Sequence, residues 1–370
     1  MMKMNNIKQI HEFGQSIWLD FLDRKLIRSG ELKKLIEEDG LRGMTSNPAI
    51  FEKAISGSAD YDEQIWEVAE KHQNNEAIFY ELAVTDIREA ADLFGPVFAA
   101  SQDGYVSLEV SPHLARDSSR TIRQATELWR KVDRKNVMIK IPATAEGLSA
   151  IRRAICEGIN VNITLLFGLD RYEAVTDAYL SGLEDRLADG HPIDQIASVA
   201  SFFLSRIDVL VDQMLETKGH LELKGEVAIA CAKQAYQIYK QVFGSERFKK
   251  LQEKGARPQR VLWASTGTKD PSFADTKYVD ALIGPETVNT VPPETLEAYR
   301  DHGHPESRLE QDADLAAQTL ARLKKIGINI DEVTAQLENE GIEKFNKPYD
   351  QLLQAIEEKK ARSPLKSYAL

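Results

Sequence analysis

The sequence predicts an α/β protein folded as a (β/α)8 TIM barrel, with extra helices after strands 2, 6 and 8. Three observations carry that prediction. Eight short apolar runs alternate with amphipathic segments through most of the 370 residues, the order expected of βα units around a parallel sheet. Strict alternation within several runs puts apolar side chains on one face and polar ones on the other. Two connections are too long for a turn and one helix, yet neither is rich in Gly, Pro or Ser, so they read as helical insertions and not as linkers.

In chain order the strand-like runs are 16–21, 43–47, 105–110, 137–143, 159–167, 198–205, 260–266 and 287–291. Segment 117–133 illustrates the helices between them, with Ile122, Ala125, Leu128 and Trp129 at helical spacing. Residues 48–104 have room for several helices after the second strand, and 207–258 for at least two after the sixth. Beyond the eighth strand, 292–370 carries further helices, two of them joined by 326–330, and a charged, solvated or frayed tail from Glu357. One domain is expected over 1–370, with a C-terminal helical extension from about residue 305.

A composition of 42% hydrophobic and 28% charged residues suits a packed globule. The net charge of −11 argues against nucleic-acid and anionic-membrane partners, while leaving room for a local basic pocket that holds a small anion. Cys156 and Cys231 each fall in a helical pattern without metal-ligand spacing, which reads as two core thiols in a reducing compartment. No signal-peptide stretch opens the chain and no run approaches a membrane span, so a cytoplasmic protein is expected. The run Asp301-His302-Gly303-His304 reads as a solvated loop. No metal and no cofactor are expected, and the oligomeric state stays open between monomer and homodimer.

The inward faces of the strands are polar, which ordinary core packing does not predict. In the first run Ile17, Leu19 and Phe21 share the helix-covered face, leaving Trp18 and Asp20 inside. Thr45 and Asn47 share a face of the second. Ser107 and Glu109 point inward from the third, Met138, Lys140 and Pro142 from the fourth, and Asn160, Asn162 and Thr164 from the fifth, with Leu165 and Phe167 outward. The sixth places Ser201, Phe203 and Ser205 on one face and Ala200, Phe202 and Leu204 on the other; the seventh and eighth are ambiguous. Inward residues near the carboxy-terminal ends of barrel strands surround the place where such barrels do chemistry.

Asp20, Glu109 and Lys140 therefore converge, with Asn47, Asn162 and Thr164 around them. A buried ion-pair network that fixes strand registration is the bland reading. It leaves the surplus of amides and hydroxyls unexplained. A desolvated lysine loses part of its proton affinity, and its neutral amine attacks a ketone to give a Schiff base, whose iminium is an electron sink. Cleaving a neighbouring carbon–carbon bond then needs a base, and expelling water needs an acid; two carboxylates in different surroundings divide these tasks. Asparagine and threonine suit the hydroxyls of a sugar-like substrate.

A phosphate site is legible as well. Ser201 precedes Arg206 at the opening of the helix after strand six, where free amides and a cation favour an anion. After strand seven comes Ala264-Ser265-Thr266-Gly267-Thr268-Lys269, a small-residue turn ending in a lysine. Both lie near the usual phosphate position of such barrels.

Six ordered stretches carry a family resemblance: 43–51 (GMTSNPAIF), 106–112 (VSLEVSP), 136–144 (NVMIKIPAT), 158–167 (GINVNITLLF), 198–206 (SVASFFLSR) and 262–269 (LWASTGTK). Over nearly its whole length the chain resembles the transaldolases, specifically the longer bacterial type. The resemblance implies a Schiff-base lysine on the fourth strand, at Lys140, where most other lysine-dependent barrel aldolases carry it on the sixth. It implies that Asp20 takes the proton from the sugar hydroxyl at bond cleavage and that Glu109 works through a bound water in imine formation and hydrolysis, helped by Thr164. Asn47, Asn162 and Thr45 would hold substrate, and Ser201, Arg206 and Lys269 the phosphate, with Phe203 beside the site. The implied partners are phosphorylated sugars, and the implied reaction moves a dihydroxyacetone unit from sedoheptulose 7-phosphate to glyceraldehyde 3-phosphate in the pentose phosphate pathway.

There are departures from the shorter transaldolases. Lys269 stands where they carry an arginine in a tighter turn, and a point charge lacks the bidentate fork. Phe202 replaces a proline. With the chain ending at Leu370, no fused sugar-phosphate isomerase domain is expected. Two rival readings remain: a class I aldolase acting on fructose 6-phosphate, and a noncatalytic sugar-phosphate binding protein.

Overall fold

The computed structural model describes residues 5–72, 74–101 and 103–363. Strands β1 (Gln15–Asp20), β2 (Gly43–Thr45), β3 (Tyr105–Glu109), β4 (Val137–Pro142), β5 (Val161–Leu166), β6 (Ser198–Phe203), β7 (Arg260–Ala264) and β8 (Thr287–Val291) follow one another around a closed barrel. Every neighbouring pair is parallel, and β1 closes on β8 by pairing Gln15 through Leu19 with Thr287 through Val291. Each expected run holds a strand, but several are shorter than the apolar pattern. β2 stops at Thr45 because Asn47 turns to cap the next helix, and β6 stops at Phe203 because Ser205 opens another.

The principal helices are α1 (Pro48–Gly57), α2 (Asp62–Ala69), α3 (Asn75–Leu93), α4 (Ser118–Val132), α5 (Ala145–Cys156), α6 (Leu169–Ala188), α7 (Ser205–Lys218), α8 (Val227–Phe243), α9 (Pro293–His302), α10 (Ala313–Lys325) and α11 (Ile330–Ala361). The insertion after β2 thus contains α1, α2 and α3; that after β6 contains α7 and α8; and α10 and α11 extend the chain beyond the barrel. α4 shows how local sequence sets the boundaries. Asp117 Oδ1 accepts from the Arg120 N–H at 3.0 Å, Asp133 takes a left-handed φ of 49° at the other end, and Ala125, Leu128 and Val132 bury one stripe. Cys156 and Cys231 are buried free thiols. Among the described residues no helix is long and apolar enough to cross a membrane.

The long insertion after β2 is tied to the barrel by a buried ion pair. Arg24 Nε donates to Asp86 Oδ1 on α3 at 2.8 Å, with both side chains almost wholly buried, and the same guanidinium donates to the Asp60 carbonyl at 2.9 Å. Burial pushes the Asp86 carboxyl up to about 6, against the pull of Arg24. Replacing Asp86 by alanine leaves the guanidinium buried and uncompensated, and is expected to cost about 3–5 kcal/mol, measured by urea unfolding. A loss within experimental error would show that water reaches Arg24.

Two expectations are corrected here. The tail from Glu357 is not free in solvent as far as it is described: α11 runs to Ala361, Lys359 Nζ donates to the Ser58 carbonyl at 2.9 Å and pairs with Asp62, and Lys360 Nζ donates to Asn75 Oδ1 at 2.8 Å. The charges that make this stretch look solvated are its anchors onto the insertion; residues 364–370 lie outside the described residues. The alternation in β5 also breaks. Its pairing with β6 shifts register between Ile163 and Leu166, and Leu165 has a φ of 56°, a bulge that re-aims the strand end. Phe167 consequently lies 5.3 Å from the Phe203 ring, and a Cβ at Gly341 of α11 would meet Leu165 at 3.0 Å and Phe167 at 3.5 Å.

α11 is therefore a strap over the carboxy-terminal mouth. Tyr349 donates to Glu76 at 2.8 Å, Asn75 to the Leu353 carbonyl at 3.2 Å, and Trp66 to the Lys359 carbonyl at 3.0 Å. At the opposite mouth, Arg260 holds Asp103, which also accepts from Trp18 at 3.1 Å. A Cβ at Gly43 would stand 2.5 Å from the Trp18 ring, so glycine there admits the indole into the lumen.

Candidate active site

Parallel register places Glu109 beside Lys140 and Lys140 beside Asn162, a row across β3, β4 and β5. Asp20 pairs with Thr45 across β1 and β2. Asp20, Thr45 and Glu109 are the last residues of their strands, Lys140 is the fourth of six in β4, and Asn162, the second residue of β5, lies level with it.

Lys140 is 5% exposed and Glu109 7%. The ammonium nitrogen lies 3.2 Å from Glu109 Oε2 and donates to the Ser46 carbonyl at 2.9 Å. Ser46 is held in turn, because its hydroxyl donates to the Ser107 carbonyl at 2.8 Å. Burial raises the Glu109 carboxyl above its ordinary value; Lys140 pulls it down and Asp20 pushes it further up. Asp20 is likewise raised, first by burial, against the pull of Lys140 and of the Thr45 hydroxyl. It sits at the rim, less buried than the rest of β1.

The Asp20 carboxylate accepts from Thr45 at 2.7 Å, and Thr45 lies 2.7 Å from the Thr290 hydroxyl on β8. Since Thr45 spends its one proton on Asp20, Thr290 must donate to Thr45. Across the lumen, Asn162 Nδ2 donates to Ser107 at 3.0 Å while its Oδ1 accepts from Ser201 at 2.7 Å. Among the described residues the buried Thr164 hydroxyl has no hydrogen-bond partner, which leaves it available to a substrate or a water. Asn47 accepts from the Ala49 and Ile50 amides at 3.0 and 3.1 Å as the N-cap of α1, so only its Nδ2 remains for a ligand.

Arg206 opens α7, whose N-terminus carries no side-chain cap. Its guanidinium lies 5.5 Å from the Phe203 ring and 5.9 Å from the Phe345 ring, and its buried Nη1 has no hydrogen-bond partner among the described residues. Ser201 and Phe203 thus share the site face of β6, settling the strand whose alternation left two choices. Lys269 is exposed on the loop after β7, close enough to Asp20 to favour its charged form. Sequence reasoning missed three groups: the Ser46 carbonyl, Thr290 and Phe345. The last stands 5.9 Å from Lys140 Nζ, brought there by α11.

A closed parallel barrel with a buried amine beside one acid and near a second, at the carboxy-terminal mouth, is the build of a lysine-dependent barrel enzyme. The sequence family described as Transaldolase/Fructose-6-phosphate aldolase matches residues 17–356. A transaldolase from Saccharopolyspora erythraea is 51% identical over 358 residues, covering 96% of this chain and 97% of that protein. One from Trichodesmium erythraeum is 49% identical over 373 residues, covering 97% and 98%, and one from Thiobacillus denitrificans is 46% identical over 358, covering 95% and 100%. The chain belongs to the transaldolase/fructose-6-phosphate aldolase family, and it is an enzyme of the transferase class.

Proposed function

We propose that this site moves a dihydroxyacetone unit from sedoheptulose 7-phosphate to glyceraldehyde 3-phosphate, giving erythrose 4-phosphate and fructose 6-phosphate in the non-oxidative pentose phosphate pathway of the cytoplasm. The observation that carries the reading is the buried Lys140 amine 3.2 Å from Glu109. Names of the relatives support the same reaction.

The amine of Lys140, its proton passed through a bound water to the Glu109 carboxylate, bonds to C2 of the ketose. Glu109, through a bound water, supplies the proton with which the carbinolamine hydroxyl leaves as water. Thr164 steadies that water. In the resulting iminium the C3–C4 bond breaks: Asp20 takes the C4 hydroxyl proton, the aldehyde erythrose 4-phosphate departs, and the bonding pair moves into the enamine. The enamine then bonds to C1 of glyceraldehyde 3-phosphate, Asp20 returns its proton to the new alkoxide, and hydrolysis through Glu109 frees the product and the amine. Asn47, Thr45 and Asn162 hold hydroxyls. Ser201, Arg206 and Lys269 take the phosphate, Arg206 by its unpartnered Nη1 and Lys269 as a point charge at the rim.

Acceptor dependence tests this. With fructose 6-phosphate alone, turnover should fall by about 100-fold or more relative to the same donor with erythrose 4-phosphate, since the enamine on Lys140 then lacks an electrophile. Borohydride added to the donor-only mixture should fix a three-carbon adduct on Lys140, read by peptide mass. Free dihydroxyacetone released at the full rate without acceptor would favour an aldolase, and no adduct would favour a binding protein.

A further inference from the structure

We propose that the Phe345 ring, which α11 hangs over the barrel mouth, is the wall against which a phosphosugar reaching from Lys140 to Arg206 packs, and so tunes the balance between the seven- and six-carbon ketose phosphates that this site turns over. The proposal rests on the transaldolase reading of the site. The ring centroid is 5.9 Å from Lys140 Nζ and 5.9 Å from Arg206 Cζ, so the two cations lie no more than about 12 Å apart and the ring neighbours both. Phe345 is only 6% exposed, although it belongs to a helix outside the barrel.

Three physical consequences follow from that placement. The ring face attracts both cations. Because it replaces water beside them, it strengthens the hold of each on a substrate anion or oxygen. Phe203 flanks the same guanidinium at 5.5 Å, so two rings confine Arg206 while its Nη1 stays unpartnered. A ketose joined to Lys140 through C2 and reaching Arg206 with its phosphate then packs against the ring, and one carbon more or fewer changes how closely, while both lengths are accepted.

The ring is held firmly enough to discriminate. On one side of it, a Cβ at Gly341 would meet Leu165 at 3.0 Å, so α11 lies directly on the end of β5. On the other, Tyr349 donates to Glu76 at 2.8 Å and packs edge-on against Phe79 with centroids 5.7 Å apart.

The test compares kcat/KM for sedoheptulose 7-phosphate, fructose 6-phosphate and unphosphorylated fructose in wild type and in Phe345→Ala and Phe345→Leu, with the melting temperature of each. For the alanine variant the seven-carbon to six-carbon ratio should shift by about fivefold or more, and the advantage of fructose 6-phosphate over fructose should shrink by about tenfold. Leucine, which keeps most of the bulk, should restore part of both ratios. Should alanine prevent folding, the leucine variant alone still decides, by a smaller shift in the same two ratios. Unchanged ratios in a variant that folds would overturn the proposal, whatever happened to kcat. Borohydride trapping in wild type separates the two levels: no adduct there means the transaldolase reading has failed, whereas an adduct with unmoved ratios means that only the role given to Phe345 has.

Discussion

Replacing Lys140 by alanine should lower turnover by about 10⁴-fold or more and abolish the borohydride adduct, while the protein stays folded. The first half follows from removing the atom that bonds to C2. The second concerns the acid left behind. Glu109 is 7% exposed, and burial already raises its carboxyl, with Lys140 as the main opposing influence. Without the ammonium, Glu109 takes up a proton in place of holding an uncompensated charge, so the loss should be about 1–3 kcal/mol, chiefly from the unmet Ser46 carbonyl and the buried carboxyl. A carboxyl whose folded-state affinity exceeds its unfolded one binds more protons in the native protein, so the variant is stabilised at low pH and loses that stability as pH rises through the raised folded value. Thermal melts across that window should show the difference between variant and wild type growing with pH. Retention of full activity would refute Lys140 as the nucleophile; collapse of the fold at acid pH would refute the account of Glu109.

Much of this site could be read from alternation alone. Asp20, Glu109, Lys140, Asn162 and Thr164 are polar interruptions of otherwise apolar strands, and the closed barrel turns a period of two into one shared interior. What escaped the pattern did so for identifiable reasons. Ser46 contributes a backbone carbonyl to Lys140, and a carbonyl has no residue type to notice. Thr290 sits in Thr-Val-Asn-Thr-Val, where both faces carry polar side chains; only its bond to Thr45 selects the inner one. Phe345 lies in an amphipathic helix of the extension, where one aromatic among buried Ile342, Tyr349 and Leu352 looks like packing. Its distance from Lys140 is a property of how the strap crosses the mouth. The bulge at Leu165 was hidden for a related reason, since an apolar run reads the same with or without a register shift.

For Glu109→Gln, kcat should fall by about 10²–10³-fold with the step lost being imine formation. Glutamine keeps the shape and can still approach Lys140, but it can neither take nor give the proton that the carbinolamine requires. Asp20 remains in place, anchored by Thr45 at 2.7 Å, so bond cleavage in any iminium that does form should proceed. The discriminating measurement is a single turnover with fructose 6-phosphate, quenched by borohydride at intervals: the variant should accumulate adduct slowly yet reach the same final amount. An adduct rate equal to that of wild type would remove Glu109 from this step. The pH profile adds an independent readout. Burial and the neighbouring Asp20 raise the Glu109 carboxyl, so the acid limb of wild-type kcat/KM should lie at higher pH than an exposed glutamate would give. In the variant that limb should change shape, leaving the contribution of Asp20, which burial raises as well. Because the two carboxyls influence each other, the wild-type limb belongs to the pair, and only its change on substitution assigns a share to Glu109.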